Sequence, residues 1–382
     1  MEKTKNFLKN EPVLVIAVIL ALASMLFVHP DSTSMDYIDV RTLGILFCLM
    51  AVVAGLKNIG VFDWFAGKLL SVAGRLWQVA LFLVMLCFFF SMAITNDVAL
   101  ITFVPLTITV LRQGQNERWI IPVVVLQTIA ANLGSMLTPI GNPQNLYLYG
   151  LSGMGVGDFI MRMLPYCVFA LVLILLWLAV LVVVDHRKGD NGVPEKIQGN
   201  ELEKAKIVSH SKLVMYLALF AVCLLAVGHI LPFGIPLVLV FAIVLLADRT
   251  VLFQVDYALL GTFMGFFVFI GNLGRVEAFH NFLSGVIGGH EMVTAVVSSP
   301  VMSNVPAALL LSGFTDQYEK LLLGVNLGGL GTMIASMASL ISFKYIPADG
   351  KSRGKYFCYF TVANLIFLAA ELVFARVLGM SF

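Results

Sequence analysis

Apolar stretches long enough to cross a bilayer recur along the whole chain. Candidate spans are residues 12–29, 40–57, 159–184, 212–231, 255–273 and 357–378, with a shorter one at 234–247. Two more, 119–150 and 320–345, are interrupted by polar residues. A hydrocarbon core of about 30 Å needs roughly 20 apolar helical residues. Within it the backbone must satisfy its own hydrogen bonds, so only helices or a closed barrel can cross. Long runs without alternation exclude the barrel. The expected fold class is an all-α polytopic membrane protein with about 9–11 transmembrane helices. Composition agrees: 60% of residues are hydrophobic and 12% charged, about half the charged fraction of a soluble domain.

The net charge of +2 says less than its distribution. Lys3, Lys5, Lys9, Lys57, Lys68, Arg75, Arg112, Arg118, Arg187 and Lys188 are expected on the cytoplasmic side, as are Lys344, Lys351, Arg353 and Lys355. The loop 29–39 has no Lys or Arg and is expected outside. The N-terminus is then cytoplasmic and the C-terminus outside, in a multi-pass protein of the plasma membrane, the inner membrane of a bacterial cell. Arg41, Arg162 and Lys320 do not follow the pattern. The start, three lysines before an apolar stretch from Val13 to Val28, resembles a signal peptide. Its cleavage-like Ala21-Leu22-Ala23 falls inside a stretch long enough to span, which favours a retained helix. The five cysteines lie in apolar segments without metal-ligand or disulfide spacing, and read as small buried hydrophobes.

The hydrophilic stretch 185–212 carries six Lys/Arg against five acids and divides the chain as a solvated linker. The two sides of it repeat. "KNIGVFDWF" at 57–65 aligns with "GNLGRVEAF" at 271–279, and "MAITNDVAL" at 92–100 with "PVMSNVPAA" at 300–308. "NLGSMLTPIGNPQNL" at 132–146 aligns with "NLGGLGTMIASMASL" at 326–340. Charge placement runs 40–57 inward and 255–273 outward, so the halves are expected to be inverted-topology repeats. The first repeat is 1–184, with a re-entrant hairpin at 77–112 and a broken helix at 119–150. The linker is 185–212. The remainder, 213–382, holds a linking helix and the second repeat, with a hairpin at 291–315 and a broken helix at 320–345. Residues 77–94 are also long enough to span; the hairpin is preferred because the matching arm at 290–302 is too short.

Polar residues concentrate at these interruptions. Where a helix unwinds in the membrane, its carbonyls and amides lose their partners. Carbonyl, Asn, Ser and Thr oxygens can hold a small hard cation, and half-helix N-termini can hold an anion. Pro139 and Pro143 keep the first break open. The candidate substrate and ion site is Thr95, Asn96, Asp97, Asn132, Thr138, Gly141, Asn142, Asn145, Ser303, Asn304, Asn326, Thr332, Ser336 and Ser339. Packing alone accounts for small polar residues singly, but so many buried amides each need a partner. Asp97 reads two ways, as a proton or cation carboxylate or as a cap on the second hairpin arm. Val305 stands at its matching position. Glu371 lies in the last span and is placed to face the bundle interior, Arg275 and Glu277 sit at a span end as snorkelling side chains, and 61–74 reads as an interfacial amphipathic helix. No Lys or Arg is expected near either break, so a strongly basic substrate cavity is not evident.

The segments "GLKNIGVFDWFAGKLL", "TNDVALITFVPL", "LTPIGNPQNL", "SNVPAALLL" and "NLGGLGTMIASMASLI" resemble, in style and order, the ion transporter superfamily. That group spans citrate-transporter-like, divalent-anion/sodium symporter, arsenite permease and sodium/proton antiporter families; the likeness is nearest the anion-permease and arsenite-permease side. The resemblance implies a dimeric elevator-type carrier. In its symporter branch Ser-Asn-Thr triplets at the hairpin tips hold sodium and touch the substrate carboxylate. Here Thr95-Asn96-Asp97 and Ser303-Asn304-Val305 match, without the final Thr. The implied sodium set is Thr95, Asn96, Asn142, Ser303, Asn304 and Ser336. The expected function is a secondary active transporter of a small anion or oxyanion, coupled to sodium or protons, with the lipid bilayer, the anion and a second copy as its partners. Alternatives are an arsenite/antimonite efflux permease and a sodium/proton antiporter using Asp97. No cofactor is expected beyond the coupling ion. Neither a phosphate-binding loop nor a soluble domain is present, which argues against nucleotide-driven transport, and no nucleic-acid partner is expected. No nucleophile–base set suggests an enzyme: all six histidines lie outside both breaks.

Overall fold

The computed structural model describes residues 11–187 and 209–380. The expectations for Lys3, Lys5, Lys9, Lys188 and the linker residues 188–208 lie outside them. Helices α1 (Pro12–Ser24), α2 (Val40–Asn58) and the short α3 (Val61–Leu70) come first. Next are α4 (Leu76–Ile94), α5 (Asn96–Gln113), α6 (Ile120–Ser135), α7 (Pro143–Ser152) and α8 (Val156–Arg187). Beyond the linker run α9 (His210–Val227), α10 (Gly234–Ala247), α11 (Tyr257–Gly274) and α12 (Glu277–Ile287). The chain closes with α13 (Glu291–Met302), α14 (Asn304–Ser312), α15 (Tyr318–Gly328), α16 (Met337–Lys344) and α17 (Gly350–Val377). Among the described residues, six helices are long and apolar enough to cross a membrane, and α1, α10 and α13 are shorter apolar helices. The protein is an all-helical, polytopic membrane protein.

Both interrupted segments are helix–break–helix units, α6 with α7 and α15 with α16. α4, with 19 residues, has the length of a full span. However, α5 starts after a single residue, Thr95, and packs back along both α4 and α6. The counterpart α13 and α14 turn about Ser303 in the same way and pack on α15. The second arm of each hairpin also lies against the far half-helix of the other break, α5 on α16 and α14 on α7.

Helix starts are capped where charge permits. Asp39 accepts from the Thr42 N–H at 3.0 Å ahead of α2, and Asp256 accepts from the Leu259 N–H at 2.8 Å ahead of α11. Around α2 and α11 the chain exchanges helices. α1 packs in parallel on α11: methyls added at Gly261 and Gly265 would meet Leu14 and Ala17 at 3.0 Å, and the Asn272 amide donates to the Ser24 hydroxyl at 2.9 Å. Helices α9 and α10 pack on α2. Small residues permit such close backbone approach, which drives helix association where no water is displaced. Gly55 is the tightest of these helix contacts, since a methyl there would lie 2.1 Å from the buried Tyr216 ring.

Ion pairs mark the two ends of the bundle. Arg118–Asp185 and Lys212–Asp248 lie at the end where α1 starts and α2 finishes. Arg275–Asp31, Arg162–Glu319 and Lys320–Glu291 lie at the other. Arg275 thus does not simply snorkel. It meets Asp31 at 2.8 Å and the Tyr37 hydroxyl at 3.1 Å, tying the loop before α2 to the end of α11.

Two outcomes follow from this packing. Gly55→Ala forces the Tyr216 ring to shift and is expected to cost about 1–3 kcal/mol, read as a lowered thermal midpoint in detergent, whereas Gly274→Ala, which meets open space, leaves the midpoint unchanged. Hydrogen bonding from Thr33, then the Arg275 guanidinium, holds the Asp31 carboxyl down to about 2. Its folded value lies below the ordinary carboxylate range, so its stabilisation is complete above that range and disappears as pH falls through about 2. Melting curves of wild type and Asp31→Asn should therefore differ at neutral pH and converge in strong acid.

Candidate functional site

Each hairpin turns on a residue in a backbone region that side chains rarely enter. Thr95 has φ 77° and ψ 149°; Ser303 has φ 77° and ψ 151°. Such a conformation costs on the order of 1–3 kcal/mol and persists only where its surroundings impose it. The surroundings match. The N–H of Asn96 donates to the Gly141 carbonyl at 3.0 Å, and that of Asn304 donates to the Ala335 carbonyl at 2.8 Å. The Thr138 hydroxyl donates to the Met92 carbonyl, as the Thr332 hydroxyl does to the Pro300 carbonyl at 2.7 Å. In each case a break holds the hairpin tip of its own half.

The breaks are joined across the halves by a reciprocal pair of bonds. Asn142, the cap of α7, donates from its amide to the Asn326 oxygen at 3.0 Å. Ser336, the cap of α16, donates from its hydroxyl to the Asn132 oxygen at 3.0 Å. Asn132 also accepts from the Asn96 amide at 3.1 Å and donates to the Gly329 carbonyl at 3.4 Å. Asn326 donates to the Asn145 oxygen at 2.7 Å and the Leu322 carbonyl at 2.8 Å. Asn145 in turn donates to the Ser135 and Thr138 carbonyls at 3.2 and 3.1 Å. All of these asparagines are buried.

The fourteen candidates are brought together around the two tips and the two breaks, but they divide by how much bonding capacity is spent. Asn132, Asn142, Asn145 and Asn326 are largely consumed in one another and in the breaks. Gly141 and the two threonines are engaged with the tips. Thr95 and Ser303 line cavities. Ser339 is buried with a hydroxyl that has no partner among the described residues. Asn304 differs from its match Asn96: no side-chain bond joins it to Asn326, and its amide nitrogen stands 3.1 Å from where a methyl on Gly329 would lie. The capping reading of Asp97 does not hold. Among the described residues, the N-cap Thr95 makes no side-chain cap bond, the Asp97 N–H is taken by the Asn96 oxygen at 2.9 Å, and Asp97 Oδ1 is buried without a partner.

Two cavities adjoin the tips. One, of about 250 Å³, is lined by Thr95, Asp97 and Asn142 together with Lys57, Gln254 and Asp256. The other, of about 260 Å³, is lined by Ser303, Val305 and Thr262 together with Glu11 and Lys344. Leu259 lines both. Both lie toward the bundle end that carries the start of α1, the end of α2 and the start of α11. The expectation of no basic residue near the breaks is therefore corrected. Lys57 and Lys344 each line a cavity at a tip because α2 and α16 finish there. Sequence reasoning used both only as orientation markers; it missed Gln254 and Asp256, whose sole signal was their place just before a span.

Hairpins that turn inside a membrane bundle, held against two broken helices and facing cavities, define a membrane transporter. Residues 4–317 match the citrate transporter family, CitMHS, and the chain belongs to it. It is 30% identical over 342 residues to the uncharacterized transporter MJ0456 of Methanocaldococcus jannaschii, covering 89% of this chain and 90% of the relative. It is 32% identical over 316 residues to the inner membrane protein YbiR of Escherichia coli K12, covering 80% of each.

The reciprocal pair has a measurable signature. Asn132→Ala removes an acceptor shared by Asn96 and Ser336, and a buried donor left unpaired costs about 1–3 kcal/mol. A double-mutant cycle of Asn142→Ala with Asn326→Ala should show strong non-additivity in thermal stability, and Asn304→Ala should leave the melting midpoint nearly unchanged.

Proposed function

We propose that this protein is a secondary active carrier that moves a small anion or oxyanion across the cytoplasmic membrane, coupled to a sodium or proton gradient. The observation that carries this reading is the pair of strained tips, Thr95 and Ser303, with the same backbone angles, the same bonds to the breaks and a cavity each. Matched bonds at matched positions support two inverted repeats, the architecture of alternating-access carriers. The bundle end with Lys57, Arg118, Lys212 and Lys344 is the cytoplasmic one by charge. The N-terminus is then inside, the C-terminus outside, and both cavities lie toward the cytoplasmic end, which fits an inward-facing state of an elevator-type cycle.

Lys57 supplies the positive charge that an anion would meet beside the first tip, supplemented by the N-terminus of α7. The family's name makes a carboxylate such as citrate the first substrate to try. The unspent groups, the Thr95 and Ser303 hydroxyls and the Asn304 amide, are those available to a co-bound sodium. One observation favours a second reading, sodium/proton exchange: Asp97 and Asp256 outnumber Lys57 in the first cavity, and Asp97 Oδ1 is unpartnered.

Uptake into proteoliposomes of labelled citrate, succinate, sulfate, phosphate and arsenite, under a sodium gradient and separately a proton gradient, tests the proposal. One anion is expected to accumulate under one gradient. Lys57→Gln should weaken its apparent affinity about ten- to a hundredfold, the loss of a charged hydrogen bond, and Asn304→Ala should abolish uptake in a protein that melts normally. No uptake of any anion, with sodium-dependent proton movement lost in Asp97→Asn, would replace the anion carrier with a cation exchanger.

A further inference from the structure

A long buried stripe outside the tips belongs to α17. Tyr356, Phe360, Asn364, Phe367, Glu371 and Ala375 share its buried face, the spacing of one side of a helix. Two of the three polar members have atoms without a partner among the described residues, the Asn364 side-chain oxygen and both carboxylate oxygens of Glu371, while the Tyr356 hydroxyl lies beside those of Thr128 and Ser342. At a rise of about 1.5 Å per residue, Asn364 stands roughly 10 Å and Tyr356 roughly 22 Å along the axis from Glu371. The stripe thus steps through the apolar layer toward the breaks. The Tyr356 ring packs 5.8 Å from that of Phe343 on α16, and the neighbouring Ser342 takes a hydrogen bond from Thr128, one turn from Asn132.

Glu371 is fully buried, and no described residue donates a hydrogen bond to its carboxylate. α17 packs against α6, α8 and α15. α6 has no ionisable side chain. On α15 only Tyr318, Glu319 and Lys320 are ionisable, at its start, where Glu319 pairs with Arg162 and Lys320 with Glu291. α8 brings Tyr166 and Cys167 within electrostatic reach, while Asp158, Arg162 and Asp185 lie toward its two ends. One turn along α17, the Phe374 ring stacks on Phe169 at 4.2 Å and meets Tyr166 edge-on at 5.9 Å. Arg376, five residues on, makes no bond to the carboxylate. An ionised buried carboxylate without a hydrogen-bond donor is costly, whereas the neutral acid needs one acceptor. Ionisable groups kept inside a membrane bundle mark ion and proton pathways.

We propose that Glu371 is a proton-binding site of this carrier, separate from the hairpin tips, which takes up and releases a proton as the transport cycle changes water access to the buried face of α17. Its part in transport rests on the carrier reading above; its protonation does not. The test pairs two measurements on the full chain reconstituted in lipid, wild type beside Glu371→Gln. Infrared spectra recorded across a pH titration should show a protonated-carboxyl C=O band in wild type that moves in D2O and is missing from the variant. Exchange of internal for external substrate, which needs no net proton movement, should persist in Glu371→Gln, while the pH dependence of wild-type uptake and its accompanying proton influx are lost. A spectrum without a Glu371-dependent band would overturn the proposal. So would a band with unaltered pH dependence of uptake and unaltered proton influx in the variant, which would leave Glu371 a packing residue. A band present in a protein that transports no anion would instead overturn the anion reading while the proton site stood, with its proton flux then followed directly. Glu371→Asp, which keeps the acid, is expected to keep the pH dependence and so separates lost chemistry from lost folding.

Discussion

Everything at the centre of this protein depends on unwound backbone being satisfied without water. Two helices stop in the middle of the bundle and two hairpins turn there, so amides and carbonyls that a continuous helix would pair are left over. The molecule settles this with side-chain amides: Asn145 donates to the Ser135 and Thr138 carbonyls and Asn132 to the Gly329 carbonyl, and further side-chain bonds tie the two breaks together. Asn142 reaches Asn326 and Ser336 reaches Asn132, each cap bonding into the opposite break. Because each bond needs the other half in register, the four half-helices and both tips are fixed as one polar body inside an apolar shell.

The same economy separates what holds the site from what is left to bind. A buried amide with its valences spent is scaffold; one with valences open is available. By that criterion Thr95, Ser303, Asn304 and Asp97 are open groups at the tips, and Ser339 is one beyond the second break. The halves match in backbone yet differ in charge: Asp97 faces Val305 as its counterpart, and the first cavity holds Lys57 and Asp256 where the second holds Lys344 and Glu11. A symmetric frame with an asymmetric lining gives a single chain two unlike environments side by side.

Much of this was readable in one dimension. Clusters of Asn, Gly and Pro within apolar runs announce interruptions, and three blocks repeating in order announce their pairing; the structure puts breaks at those places and bonds Thr138 and Thr332 alike. Three things were not readable. Lys57 and Asp256 reach the first tip only because α2 ends and α11 begins there, a juxtaposition across some 200 residues that no local pattern encodes. Whether an asparagine is ligand or scaffold depends on its partner, which lies in the other half. The turn between α4 and α5 was ambiguous because an arm of 19 residues has the length of a span, and two full spans would pack back on each other as these two arms do.

The packing of α1 on α11, and of α9 and α10 on α2, has a topological consequence. Each half lends helices to cover the other's second span, so neither encloses its own interior. Two separately synthesised halves would each present a bare helix face of small residues, Gly55 on one and Gly261 with Gly265 on the other, shaped to receive the missing partner. The unit of folding is therefore the interlocked pair, held together as clasped hands are, whatever happens to the chain that runs between them.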